Sequence, residues 1–181
     1  MNTTVAYRRM TPAQAVLNVL DLRAVYAAVF SLPPYNEGPE MPAAFVAWIT
    51  AESRLPGFDL VGAFTENELV GFAYGYTMPP GQWWRRTGTP APDGVKENAK
   101  FAVMEWAVLP GYRGHGIGRR LMDDLLDRRE ERWATLTVNP AADARAVYER
   151  WGWRHVATTR AGAMPSMDVL VLDRHDSPDA S

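Results

Sequence analysis

Apolar residues recur at helical spacing twice before the first pair of strands. Leu22, Val25, Tyr26, Val29 and Phe30 form one stripe that Pro33-Pro34 ends, and Phe45, Trp48, Ile49 and Leu55 form another that Pro56-Gly57 ends. Val5 to Arg9 predicts a short first strand, and Thr11-Pro12-Ala13-Gln14 reads as a helix start, with Thr11 as cap, Pro12 in the first turn and Gln14 reaching back. The period then changes to two. Asp59 to Thr65 and Leu69 to Thr77 predict two strands joined by a tight turn at Glu66-Asn67. In the second, Val70, Phe72, Tyr74 and Tyr76 share one face, and Gly71, Ala73 and Gly75 the other. The small face lets a neighbour pack close, and the large face is either core or a pocket wall.

Residues 78–98 are rich in Pro and Gly without periodicity, which predicts a functional lid or a mobile segment. A strand from Lys100 to Val108 follows, closed by Pro110-Gly111. Ile117, Leu121, Leu125 and Leu126 mark the next helix, with Arg119/Asp123, Arg120/Asp124 and Asp124/Arg128 spaced for i,i+4 pairs. Ala134 to Val138 alternates as a strand. Asn139-Pro140 then caps a helix carrying Ala144, Val147, Tyr148 and Trp151, which Gly152 stops. Trp153 to Arg160 and Met167 to Asp173 are the last strands, and the polar tail from His175 to Ser181 is expected to fray. The order is β-α-α-β-β-β-α-β-α-β-β, an α/β chain with a mixed sheet in one domain over residues 1–174 and a tail over 175–181. No repeat or low-complexity linker interrupts it.

Composition narrows the classes. The 181 residues include 19 Lys+Arg, 21 Asp+Glu and no cysteine, for a net charge of −2. The absence of thiols excludes disulfides, Cys-ligated zinc, iron–sulfur clusters and a thiol nucleophile. The charge balance argues against a general nucleic-acid binder. No apolar run reaches the ~18 residues of a membrane span, and residues 1–9 lack the order of a signal peptide, so a cytoplasmic location is the expectation. His155 and His175 form no metal spacing and read as structural or surface residues, and no metal is expected.

The segment from Glu105 to Leu121 carries the chemistry. A strand runs into a turn holding Gly114, Gly116 and Gly118, and the turn opens an amphipathic helix. Glycines allow positive φ and close backbone approach, so successive N–H groups can converge on an anion at the positive end of the helix dipole. Arg113, His115, Arg119 and Arg120 would add charge. This spacing is neither a Walker A loop, which needs Lys-Ser/Thr, nor the G-x-G-x-x-G dinucleotide fingerprint. It predicts a phosphate or pyrophosphate site.

Ala107-Val108-x-Pro-x-Tyr112-Arg113-Gly114-x-Gly116-Ile117-Gly118, with Tyr148-Glu149-Arg150-Trp151-Gly152-Trp153 downstream, resembles the GNAT superfamily of acetyl-CoA-dependent N-acetyltransferases. The resemblance extends to the element order from Val5 to Asp173 and implies that family's mostly antiparallel central sheet flanked by helices. It implies that backbone groups of Trp106, Ala107 and Val108 meet the pantetheine arm of acetyl-CoA. Amides of Arg113, Gly114, His115, Gly116, Ile117, Gly118 and Arg119 would hold the pyrophosphate, with Asn139, Ala144 and Tyr148 as further cofactor contacts. Tyr148 matches the tyrosine that donates to the CoA sulfur. The chain departs from the pattern just ahead of it, where many relatives carry Asn and this chain has Ala141; Asn139, two residues earlier, reads first as a helix cap.

Glu105 is the candidate base. It stands in an otherwise apolar strand, where desolvation would raise its pKa towards the range useful for deprotonating an amine. Strand alternation puts it with Val103 and Ala107, although the bulge common in this strand of the family would disturb that parity. The family builds its acceptor site from loops that are here Ser31 to Glu40, Met78 to Asn98 and Thr159 to Ser166. Tyr35, Glu37, Tyr74, Tyr76, Trp83 and Trp84 are the acceptor-binding candidates, and aromatic walls with a carboxylate suit a cationic or aromatic amine. The expected function is acetyl transfer to a primary amine of a small molecule or peptide, without nucleic acid or membrane partners. A homodimer is a common arrangement in the family. The alternatives are a CoA-binding sensor that has lost turnover and a toxin that acetylates aminoacyl-tRNA.

Overall fold

A computed structural model describes residues 4–66, 68–162 and 165–176. Its elements run β1 (Val5–Met10), α1 (Pro12–Leu17), α2 (Val19–Phe30), α3 (Met41–Glu52), β2 (Asp59–Thr65), β3 (Glu68–Met78), β4 (Lys100–Val108), α4 (Ile117–Asp127), β5 (Trp133–Val138), α5 (Asp143–Arg150), β6 (Arg154–Thr158) and β7 (Asp168–Asp173). The strands form one sheet in the order β1-β2-β3-β4-β5-β7-β6. Pairings β1–β2, β2–β3, β5–β7 and β6–β7 are antiparallel, and β4–β5 is parallel. The expected mixed, mostly antiparallel α/β sheet is therefore present.

The first helical stretch differs from the single helix expected. Thr11 and Gln14 form the capping box as read, with the Gln14 amide 3.2 Å from Thr11 Oγ1 and the Thr11 amide 2.9 Å from Gln14 Oε1. Asn18 then divides the stretch into α1 and α2. Its side-chain amide donates back to the Gln14 carbonyl at 2.8 Å, and its ψ of 16° leaves the helical ladder. An Asn inside a run can compete with the helix in this way. Asn67 of the β2–β3 turn, residues 163–164 of the last loop and Ser177–Ser181 of the tail lie outside the described residues.

Two compact units divide the chain, one of Met1–Tyr76 with Val103–Arg129, the other of Thr77–Ala102 with Glu130–Ser181. In the first, Leu22, Tyr26, Val29 and Phe30 of α2 and Phe45 and Ile49 of α3 pack with Leu60, Phe72 and Tyr74 of the sheet. Tyr26 and Phe45 stack at 4.4 Å, and Phe45 meets Tyr74 edge-on at 6.4 Å. The small face of β3 receives the β4 backbone closely, since a Cβ at Gly71 would stand 2.8 Å from the Ala107 carbonyl oxygen. The helix α4 buries Ile117, Leu121, Met122, Leu125 and Leu126.

In the second unit, Lys100, Phe101 and Ala102 pair with Trp133, Ala134 and Thr135. Of the functional lid or mobile segment expected over residues 78–98, free mobility does not fit, because the segment is fastened along its length. Gly88 N–H donates to the Thr158 carbonyl, Arg160 N–H donates to the Arg86 carbonyl, and the Trp84 indole N–H donates to Thr135 Oγ1 at 2.9 Å. Lys100 is fully buried and its ammonium donates to the Asn98, Pro79 and Lys96 carbonyls at 2.8, 3.2 and 3.3 Å. Desolvation holds its pKa below the usual lysine value, and the three carbonyls together with the Glu97 charge oppose that by stabilising the ammonium. Among the described residues, no helix is long and apolar enough to cross a membrane.

Lys100→Met removes the donor shared by three loop carbonyls, and an unmade buried bond costs about 1–3 kcal/mol. Thermal unfolding of this variant is expected a few degrees lower, at roughly 2–4 °C per kcal/mol, with segment 79–99 exchanging its amides faster. An unchanged midpoint and unchanged exchange would contradict the anchoring role.

Candidate active site

The strand β4 ends at Val108, Pro110–Tyr112 form a single 3-10 turn, and α4 begins at Ile117. Between them Gly114 and Gly116 sit at φ 79° and 77°, the left-handed region that penalises any side chain, while a Cβ at either would meet no neighbouring atom. These glycines serve backbone conformation and leave open space above the turn. Gly118 serves packing instead: a Cβ there would stand 2.5 Å from the Trp106 ring, whose Nε1 donates to the Gly118 carbonyl at 2.9 Å. The N–H groups of Gly114, His115, Gly116, Ile117 and Gly118 have no hydrogen-bond partner among the described residues. Gly116 caps α4 without a side chain, so the positive end of the helix is open.

The basic side chains contribute less than expected. Arg119 pairs with Asp123 and Arg120 with Asp124, both at 2.8 Å and largely exposed, as the i,i+4 spacing predicts. Arg113 turns its Nε onto the Val108 carbonyl at 3.0 Å, bracing the strand end. His115 is exposed. An anion here would be held chiefly by backbone N–H groups.

Glu105 lies within the same unit, midway along β4. Met104 packs against the same core cluster as Ala107 and Leu109, positions of opposite parity, so alternation changes phase along this strand. Glu105 is partly buried and has no hydrogen-bond or ion-pair partner among the described residues. Its carboxyl is held well above the ordinary carboxylate range, first by desolvation and then by the charges of Glu37 and Glu52.

Those two glutamates are each fixed by a tyrosine. Tyr26 Oη donates to Glu37 Oε2 at 2.6 Å, and Tyr74 Oη donates to Glu52 Oε2 at 2.8 Å. Desolvation raises both carboxyls, and the tyrosine bond opposes the rise in each. Tyr26 and Tyr74 are themselves pushed far up, chiefly by burial, with Glu105 adding to both. Tyr76 is raised by burial and by Glu52. Among the described residues, no Lys or Arg offsets the charge of Glu37, Glu52 or Glu105. Of the acceptor-binding candidates, this arrangement brings together Glu37, Tyr74 and Tyr76. Tyr74 is 2 % exposed, which makes it the support of Glu52 and not a wall. Tyr35 packs edge-on against Phe30 at 4.9 Å.

The sequence reading missed Glu52 and Tyr26. Glu52 is the last residue of α3 and reads as an ordinary polar helix end. Tyr26 sits in the apolar stripe of α2, yet a buried tyrosine hydroxyl needs a polar partner, and that was the available signal.

The remaining candidates belong to the second unit. Tyr148 is buried on α5, with Trp151 at 6.1 Å and Trp153 at 5.7 Å. Ala144 is partly buried on the same helix. Asn139 does not cap α5 as expected. Its Oδ1 accepts from the Ala141 amide at 2.9 Å, closing a turn of its own, and the helix starts at Asp143 with Ala142 as the cap residue. Trp84 is committed to Thr135, while the buried Trp83 Nε1 has no partner among the described residues.

Comparison with known proteins gives the same direction. The chain is 31% identical over 101 residues to a GCN5-like protein acetyltransferase of Mycobacterium tuberculosis; the match spans 51% of this chain and 48% of that protein, about half of each. Among solved structures, the PaiA N-acetyltransferase of Thermoplasma acidophilum, in complex with coenzyme A, superposes with a TM-score of 0.63 at 13% identity, covering 94% of this chain and 99% of that one. NAA60 of Arabidopsis thaliana, in complex with acetyl-CoA, superposes with a TM-score of 0.64 at 15% identity, covering 95% and 99%. The model of the acetyltransferase (GNAT) family matches residues 22–153, a span that holds β4, the glycine turn and the Tyr148 helix. On that match, this chain belongs to the acetyltransferase (GNAT) family.

Proposed function

We propose that the protein is an N-acetyltransferase that transfers the acetyl group of acetyl-CoA to a primary amine by direct attack in a ternary complex. The observation that carries this reading is Glu105, a carboxyl without a cation partner, raised by desolvation, on the strand that leads into the open anion turn. The five unpartnered N–H groups from Gly114 to Gly118 fit a pyrophosphate, and the CoA-bound state of the PaiA and NAA60 structures supports acetyl-CoA as the donor. Backbone groups of Trp106 and Ala107 would meet the pantetheine arm; the Val108 carbonyl is already engaged by Arg113.

In the reaction Glu105 takes a proton from the acceptor ammonium. The freed nitrogen lone pair forms a bond to the thioester carbonyl carbon, and the carbon–sulfur bond breaks. Tyr148 supplies a proton to the departing thiolate, and the remaining excess proton on the nitrogen passes to solvent, from which the Tyr148 phenolate is reprotonated. A carboxylate whose pKa is raised suits this task because, once ionised, it accepts the proton more strongly than an ordinary one.

Two outcomes test the reading. Acetyl-CoA at about 100 times its Kd stabilises its binder by ~2.7 kcal/mol, a rise of roughly 5–10 °C for a chain of this size. Gly116→Val should lose that ligand-induced rise, whatever it does to the unliganded midpoint; an intact rise would refute the turn as the site. Glu105→Gln should lower kcat/KM by roughly 10²–10⁴-fold and remove an acid limb that, in the wild type, lies above the ordinary carboxylate range. Stability checks the sign: the folded state holds this proton more tightly than the unfolded chain, so wild-type stability falls as pH rises from the ordinary carboxylate pKa through the raised one. Glu105→Gln removes that fall. An acid limb near the ordinary pKa of about 4.3, or one that survives the substitution, would contradict Glu105 as base.

A further inference from the structure

Among the described residues, every large apolar side chain that stays exposed lies between Val16 and Leu55: Val16, Leu17, Leu20, Leu32, Trp48 and Leu55. Leu17 is 83% exposed and Leu20 69%. All six belong to α1, α2, α3 or the residues beside them, within the first unit. Single exposed leucines are ordinary, but their concentration on one layer of helices marks a surface that something covers. The two longer helices also lack a polar side. α3 carries no charge from Met41 to Ala51, and its exposed positions are Ala43, Ala47, Trp48 and Ala51. On α2 the exposed row Leu20, Ala24 and Ala28 follows i, i+4, i+8 spacing, and the charges of that helix are Asp21 and Arg23 alone. A helix apolar around its circumference belongs in a core.

We infer that a second copy of this chain covers this face, in a twofold-symmetric pair. A twofold contact sets one patch against itself, so the patch must complement itself in charge and in shape. An uncharged face does so in charge, because closing it buries no ion on either side. Shape follows from how the helices lie. α2 and α3 pack on each other with Tyr26 stacked on Phe45, and α1 also reaches α3, which sets the start of α2 beside the end of α3. Leu17, Leu20, Trp48 and Leu55 crowd that end of the face, and Ala24, Ala28, Ala43 and Ala47 floor the other. About a twofold axis the large end of each copy seats on the small end of its partner, ridge into groove. The area fits as well. Each helix has 12 residues, about 18 Å long and 10 Å wide, so the two together span roughly 400 Å². The relief of their side chains and the addition of α1 carry this towards the ~600 Å² per partner at which stable interfaces begin. A lipid surface, the other cover for an apolar helical face, calls for Lys and Arg around the patch. From Val16 to Leu55 the chain instead sets Arg23 and Arg54 against Asp21, Glu37, Glu40 and Glu52.

Sedimentation equilibrium of the full chain tests this. At about 100 μM, well above a micromolar Kd, the mass is expected to approach twice the 20.2 kDa of one chain. Leu20→Glu at the large end and Ala47→Glu at the small end each place an unpaired carboxylate in the contact, twice per pair. Each should raise the dimer Kd by at least about a hundredfold, read from the concentration dependence of the mass. Both positions are exposed in the single chain, so the circular-dichroism spectrum of each variant should match that of the wild type. A wild type of single-chain mass at that concentration overturns the inference, and flotation of that single chain with phosphatidylcholine–phosphatidylserine vesicles would assign the face to lipid instead. A doubled mass that neither substitution lowers also overturns it, because the pair then forms elsewhere.

Discussion

Three partly buried carboxylates, with no Lys or Arg paired to them among the described residues, are the constraint around which the first unit is arranged. Isolated ionised carboxylates in such surroundings are costly, and a protein that keeps them must protonate them or pair them. Here two are steadied by tyrosine hydroxyls, and the carboxyl of the third, Glu105, has no partner among the described residues. The aromatic packing of Tyr26, Phe45 and Tyr74 holds the two tyrosines in place. A core that would otherwise be ordinary α2–α3–sheet packing thus also sets the proton affinity of one side chain on β4.

The same strand ends in the anion turn, and the two features make opposite use of charge. The turn presents unpaired N–H groups at a helix start, while its arginines are turned onto aspartates or onto the Val108 carbonyl. Fixed backbone dipoles cost no side-chain ordering, which suits a multiply charged ligand that must bind and leave. Trp106 and Gly118 lock strand to helix through one ring and one hydrogen bond, so the turn is supported from beneath and open above.

Local patterns were legible where one residue decides a local geometry. The capping box at Thr11, the i,i+4 pairs of α4 and the glycines of the turn all follow from spacing alone. The cap read at Asn139 and the unread break at Asn18 have one cause: an Asn side chain can break a helix, cap one or close its own turn, and neighbouring residues choose among these. The loop 78–98 read as a lid or a mobile segment because its fastenings, from Lys100 to the Pro79 carbonyl, from Trp84 to Thr135 and from Arg160 N–H to the Arg86 carbonyl, join residues far apart in sequence that no periodicity reveals. Glu105 was visible as a carboxylate in an otherwise apolar strand, and Glu37 as a carboxylate in a loop of the acceptor side. Glu52 was not, since only the fold carries the end of α3 to Tyr74.

The most direct measurement is titration of the glutamate side-chain carboxyls by carbon-13 NMR in the protein without ligand, with Glu105→Gln used to assign the resonance. The account requires Glu105 to titrate well above the other glutamates, and to move down when Glu37 or Glu52 is replaced by Gln. A Glu105 resonance titrating near the ordinary value of about 4.3, and indifferent to both replacements, would contradict it.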